Sequence, residues 1–276
     1  MPPRELLSWY LDAGVDEAIG EQPVDRYAAA PPAPMTAPPA PIAEPPHPPP
    51  AAVAAPPPAT VAAPPPAEAS SSPVQTAYDL AAAASSVEAL GRALETFDDC
   101  PLKKTATNLV FCDGNPMARL IMIGEAPGAE EDRQGTPFVG PSGQLLDRML
   151  ASVGLDRSQV LISNTVFWRP PGNRTPTTAE IAACLPFVER LIELVDPEFL
   201  VALGGAAAKS LLARNESVGK LRGKWFPYST PRLPRPVQAT ATYHPAYLLR
   251  SPAQKRAVWR DLLAIKKKLA DAEPQK

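Results

Sequence analysis

Leu120-Ile121-Met122-Ile123-Gly124 runs straight into Glu125-Ala126-Pro127-Gly128. A short apolar run closed by a glycine reads as a buried strand. The glycines and proline after it shape a loop whose backbone can approach a ligand closely. The same change recurs twice. Val160–Asn164 leads to Trp168-Arg169-Pro170-Pro171-Gly172-Asn173-Arg174, and residues 237–243 lead to His244-Pro245-Ala246-Tyr247-Leu248-Leu249-Arg250. Further strands are expected at 109–112 and 199–204. Apolar spacing predicts helices over 76–97, 142–153, 178–195, 205–213 and 253–269; the last carries Val258, Leu262, Ile265 and Leu269 on one face. Alternating strands and helices predict an α/β fold, a three-layer αβα sandwich with a mainly parallel central sheet. Such sheets bind ligands beyond the carboxyl ends of their strands, which is where the unusual residues fall.

Proline sets the domain organisation. Of 38 prolines, 18 lie within residues 31–73, interleaved mainly with alanine. Too few large apolar side chains are present there to offset the entropy of ordering the chain. Residues 31–75 are therefore expected to be a disordered, partly polyproline-II linker. It separates a short amphipathic segment, 1–30, from a folded domain at 76–272. Within the first segment Leu6, Leu7, Tyr10, Leu11 and Val15 fall at helical spacing, suited either to docking on its own domain or to binding a protein partner.

The net charge of −2 conceals an asymmetry: residues 1–76 hold two basic and eight acidic side chains, −6, which leaves +4 on the remainder. A mildly basic domain suits a polyanion. Three cysteines, Cys100, Cys112 and Cys184, make no disulfide framework. No stretch is long and apolar enough to span a membrane, and no apolar leader run is present, so a cytoplasmic location is expected.

The loops carry the chemistry. The first continues through Glu130-Glu131-Asp132 to Gly135-Thr136-Pro137-Phe138-Val139-Gly140. Lacking Gly-Lys-Ser/Thr, it is not a phosphate-cradling P-loop. Its crowded acids can order water or carry a shifted pKa. Phe138 either offers a flat face to a base or is an ordinary buried ring. Asn164, at a strand's carboxyl end, either caps a turn or hydrogen-bonds a pyrimidine edge with its donor and acceptor. Of two histidines, His47 lies in the linker, so His244 is the imidazole the folded domain can use. Tyr-Leu-Leu-Arg after it joins apolar wedges to a cation, as insertion into a base stack requires, or else begins an amphipathic helix.

Together these loops resemble the uracil-DNA glycosylase superfamily, family 4 in particular. The likeness rests on Gly-Glu-x-Pro-Gly, Pro-Phe-Val-Gly, an Asn ahead of Arg-Pro-Pro-x-Asn-Arg, and His-Pro-Ala-Tyr-Leu-Leu-Arg. It spans about 97–269, with Asp113-Gly114-Asn115-Pro116 and Arg222-Gly223-Lys224-Trp225 included, and not the N-terminal segment or linker. The resemblance implies a monofunctional enzyme, a monomer, that flips uracil from DNA and hydrolyses its N-glycosidic bond. Phe138 would stack on the base, Asn164 read its polar edge with Gly124 beside it, and Glu131 exclude the thymine methyl. Glu125 and Asn173 would position water or sugar, and His244 donate to the uracil oxygen. Leu248 and Leu249 would fill the gap in the stack while Arg250, Ser142 and Gly143 hold phosphates. Ala126 stands where another branch has a catalytic Asp, so leaving-group stabilisation would dominate. A DNA-binding or damage-sensing protein with weak activity is the rival reading.

The chain departs from the family at one feature. Family 4 members hold a 4Fe–4S cluster on four cysteines. Cys100 and Cys184 match the second and fourth, but Phe97 and Trp168 replace the first and third. Cubane clusters need four ligands. The expectation is that no cluster is present and that the aromatics fill its cavity around two buried thiols; the alternative is a labile cluster.

Overall fold

The computed structural model describes residues 72–272, all within the second of the chain's two units, Pro64–Lys276. The expectations for residues 1–30 and for 31–71 lie outside the described residues. The linker was expected to run to 75, but Pro73–Gln75 form the first turn of helix α1, Pro73–Ala83. Ser72 caps it by accepting from the Gln75 amide at 3.2 Å, and Pro73 at the first helical position has no N–H to leave unpaired.

The helix expected over 76–97 is two. After α1 the chain breaks at Ala84-Ser85-Ser86, and Ser86 caps α2, Val87–Thr96, through the Ala89 amide. The first strand also shifts. Instead of 109–112, β1 is Cys112–Gly114, an antiparallel edge strand set by its pairing with β3, Val160–Asn164. The remaining strands are β2 (Leu120–Gly124), β4 (Phe199–Leu203), β5 (Phe226–Tyr228) and β6 (Val237–Thr242). Their order is β1-β3-β2-β4-β6-β5, with the four central strands parallel and both edges antiparallel.

Alternation along the strands builds two cores. Ile121, Ile123, Leu161, Leu200 and Ala202 face one side, against α1, α2, α5 (Thr178–Val195) and α6 (Gly205–Leu212). Leu120, Met122, Val160, Ile162 and Val201 face the other, against α4 (Pro141–Ala151), α8 (Pro245–Arg250) and α9 (Lys255–Asp271). The three-layer αβα sandwich is thus observed. Two short helices complete the connections, α3 (Ala129–Gln134) after β2 and α7 (Val218–Leu221) before β5. Among the described residues no helix is long and apolar enough to cross a membrane.

Candidate active site

The parallel strands bring their carboxyl ends to one rim of the sheet. Gly124 and Asn164 end β2 and β3 as register partners, and His244 follows β6 two residues after its end. There the chain encloses a cavity of about 440 Å³. Its walls include Glu125, Glu131, Phe138, Ser142, Asn164, Asn173, His244 and Arg250, so three loops distant in sequence share one space.

The interior contacts are close. A Cβ added to Gly124 would lie 2.5 Å from Asn164 Oδ1 and 2.6 Å from Phe138 Cζ. Only hydrogen at that position lets the amide and the ring meet. Phe138 itself has φ +56°, rare for a bulky residue. Its ring lies 5.6 Å from that of His244, tilted by 29°. Asn164 is 1% exposed, and neither Oδ1 nor Nδ2 has a hydrogen-bond partner in the structure. An amide buried in that way forfeits its hydration with no return inside the fold, an unfavourable arrangement that a ligand can relieve.

His244 accepts a hydrogen bond at Nδ1 from the Ala246 amide, 3.1 Å away. That places the ring proton on Nε2. Burial, with the Arg250 charge adding to it, lowers the imidazole's pKa to about 4, so it is a neutral donor near neutral pH. Burial also raises the pKa of Glu125, against a hydrogen bond from Thr175.

Two acids hold the walls. Glu131 accepts from the Gly128 amide (3.1 Å) and the Gly140 amide (2.8 Å), tying the two ends of its loop together. Glu180 receives both guanidinium nitrogens of Arg174, at 2.8 and 2.6 Å, and with Thr177 forms the capping box of α5. The Arg174 guanidinium holds the Glu180 carboxyl down at about 2. The preceding residue, Asn173, is left-handed (φ +55°) and accepts from Arg169 Nε at 2.7 Å.

Not every expected residue reaches the cavity. Leu248, expected to wedge into DNA, is fully buried in the core beneath α8. Helical geometry turns its neighbours Tyr247, Leu249 and Arg250 outward instead, with Leu249 45% exposed. Gly143 is also buried; a Cβ there would lie 1.7 Å from the Phe138 carbonyl oxygen, so its position is one of packing. Sequence reasoning missed the supporting groups, Thr175, the Arg174–Glu180 pair and Arg157. Arg174 stood inside a motif already singled out, but nothing in sequence pairs it with Glu180.

Residues 111–263 match the family model described as the uracil DNA glycosylase superfamily. The chain belongs to that superfamily. Within it, the chain is 39% identical over 180 residues to a type-4 uracil-DNA glycosylase of Pyrobaculum aerophilum, covering 64% of this chain and 91% of that protein. A type-4 enzyme of Thermotoga maritima is 40% identical over 166 residues, 59% of this chain and 84% of that protein. A type-5 enzyme of Thermus thermophilus matches over 36% of this chain and 52% of its own length, at 35% identity.

Of the four positions that the resemblance assigns to a cluster, Cys100 and Cys184 keep a thiol, and Phe97 and Trp168 do not. Cys184 Sγ donates to Cys100 Sγ at 3.9 Å, both fully buried. That contact, together with burial, pushes the Cys184 thiol up. Phe97 and Trp168 are buried in the same core, and Phe97 packs on Phe187 with centroids 5.1 Å apart. The four positions supply two thiols in mutual contact and two rings, not four ligands. Among the described residues no group of three or more His, Cys, Asp or Glu is placed to hold a metal.

Proposed function

We propose that this protein excises uracil from DNA, hydrolysing its N-glycosidic bond and leaving an abasic site. The observation that carries the reading is the Asn164 amide, buried at the cavity wall with donor and acceptor both unpartnered. A uracil edge offers the complementary acceptor and donor.

Each neighbour then has a task. Unstacking the base costs a few kcal/mol, and stacking on Phe138 recovers part of it. Asn164 reads the polar edge, while Gly124 lets amide and ring close on one base. Bond cleavage leaves an electron-poor sugar and an anionic base. His244 Nε2–H, neutral and held by Ala246, donates to the uracil oxygen as that charge develops, which favours the transition state over the ground state. Glu125 and Asn173 orient the attacking water or the sugar, and Glu131 bars a thymine methyl. Ser142 and Arg250 meet phosphates, and of the two leucines expected as wedges the exposed Leu249 keeps that role while the buried Leu248 does not. Ala126 leaves no strong carboxylate base at its position, so leaving-group stabilisation does most of the catalysis. The expected partner is uracil-containing DNA in the cytoplasm, the expected form a monomer, and residues 1–30 the segment proposed to recruit a protein.

Incubating the purified protein with a uracil-containing oligonucleotide and its thymine control, followed by alkali, tests the function. Strand breaks at uracil alone are expected; an intact uracil strand would overturn it. No iron–sulfur cluster is part of the proposal, since an aromatic core and one thiol pair stand at the four ligand positions. Purification with and without air should give protein free of iron and sulfide. About four irons per chain, the cubane's content, would refute this part alone.

A further inference from the structure

Phe138 keeps a backbone conformation that its own bulk disfavours, and something outside its loop must hold it there. Glu131 secures the loop at Gly128 and Gly140 but makes no bond to Phe138. Arg157, from the turn that precedes β3, does. Its Nη1 donates to the Pro137 carbonyl at 3.1 Å, and its Nη2 donates to the Phe138 carbonyl. The same guanidinium is anchored on two carboxylates, Asp113 of β1 at 2.6 Å and Asp147 of α4 at 2.8 Å. On the other side of the Phe138 carbonyl lies Gly143, whose missing side chain makes the room. A planar fork can serve two consecutive carbonyls and two acids at once; an ammonium cannot reproduce that geometry.

We infer that Arg157 is a positioning residue for uracil excision, fixing the left-handed turn that aims the Phe138 ring into the base slot. This rests on the uracil reading of the cavity. It gives the edge strand β1 a part in the site, because Asp113 holds the guanidinium that holds the ring.

The test compares Arg157→Ala and Arg157→Lys with Arg119→Ala in the full chain. Arg119 pairs with Glu198 at 2.6 Å ahead of β2 and β4, at the opposite end of the sheet, and so controls for loss of an ion pair. Arg157→Ala should lower the single-turnover rate of uracil release about 100-fold, the cost of misplacing a reacting group by about 1 Å. Its affinity for abasic-site DNA, which presents no base to stack, should hold. Dilute guanidinium ion should restore part of the rate, and Arg157→Lys should not recover it. Arg119→Ala should melt earlier yet keep the wild-type rate. A second readout needs no catalysis: NMR of isotope-labelled phenylalanine, with the Phe138 ring assigned by its loss in Phe138→Leu. Those ring signals should shift and broaden in Arg157→Ala and not in Arg119→Ala. Unchanged ring signals, a wild-type rate in Arg157→Ala, or an equal loss in Arg119→Ala would each overturn the inference. If the wild-type protein releases no uracil, the functional reading fails, and the ring signals still decide whether Arg157 places Phe138.

Discussion

His244→Ala is expected to slow uracil release about 100- to 1000-fold, the usual effect of removing one donor aimed at developing negative charge. Affinity for DNA should stay near the wild-type value, because the intact uracil oxygen is a weaker partner than the departing anion. The pH dependence sharpens the test. The imidazole's pKa is lowered to about 4, so it stays neutral as pH falls through the ordinary histidine value of about 6.5. The ratio of wild-type to His244→Ala rates should therefore be flat across that range and fall only towards pH 4. Protonating Nδ1 removes the lone pair that accepts from Ala246, and the ring loses its orientation. Stability carries the same sign: between pH 4 and 6.5 the unfolded imidazole binds more protons, so this group destabilises the fold as pH drops through that window. Equal losses of rate and DNA affinity in His244→Ala would assign His244 to binding instead.

Asn164→Ala should separate activity from stability in opposite directions. Uracil release is expected to fall about 5- to 150-fold, since a paired donor and acceptor discriminate by about 1–3 kcal/mol. The melting temperature should stay level or rise. In the free protein the amide is buried without a partner, a burden of about 1–3 kcal/mol that alanine removes, and the space vacated opens to the cavity rather than becoming a sealed void. Thermal melts and single-turnover assays on the same preparation read both effects. A variant that melts early but keeps its rate would make Asn164 a structural residue. Activity held at the expense of stability is common where a site must wait for its ligand.

Residue pattern alone carried the sheet a long way. Strands Leu120–Gly124 and Val160–Asn164 and helix Thr178–Val195 have their expected bounds, because the short apolar runs Leu120–Ile123 and Val160–Ile162 and an 18-residue periodic stretch leave few other ways to bury their faces. The errors lie where local signals are weak. Ser86 splits one expected helix by offering a cap, a choice that hydrophobic spacing does not register. The edge strand at Cys112–Gly114 is defined by its hydrogen bonds to β3 rather than by its own composition. Leu248 and Leu249 read alike as apolar residues in a loop motif, and only the phase of α8 against the core sends one inward and the other out.

By itself the sequence determined that an α/β sheet forms, that Gly124 and Asn164 end its strands and that Phe138 and His244 lie in the loops beyond them, because strand period and loop composition are local properties of the chain. Tertiary structure alone decided which groups support them: Arg157 reaching back to the Phe138 carbonyl, Glu180 gripping Arg174, two thiols meeting across a gap of 84 residues. Those partners are chosen by distance after folding, and a polar side chain in a turn carries no local signal of the group it will meet.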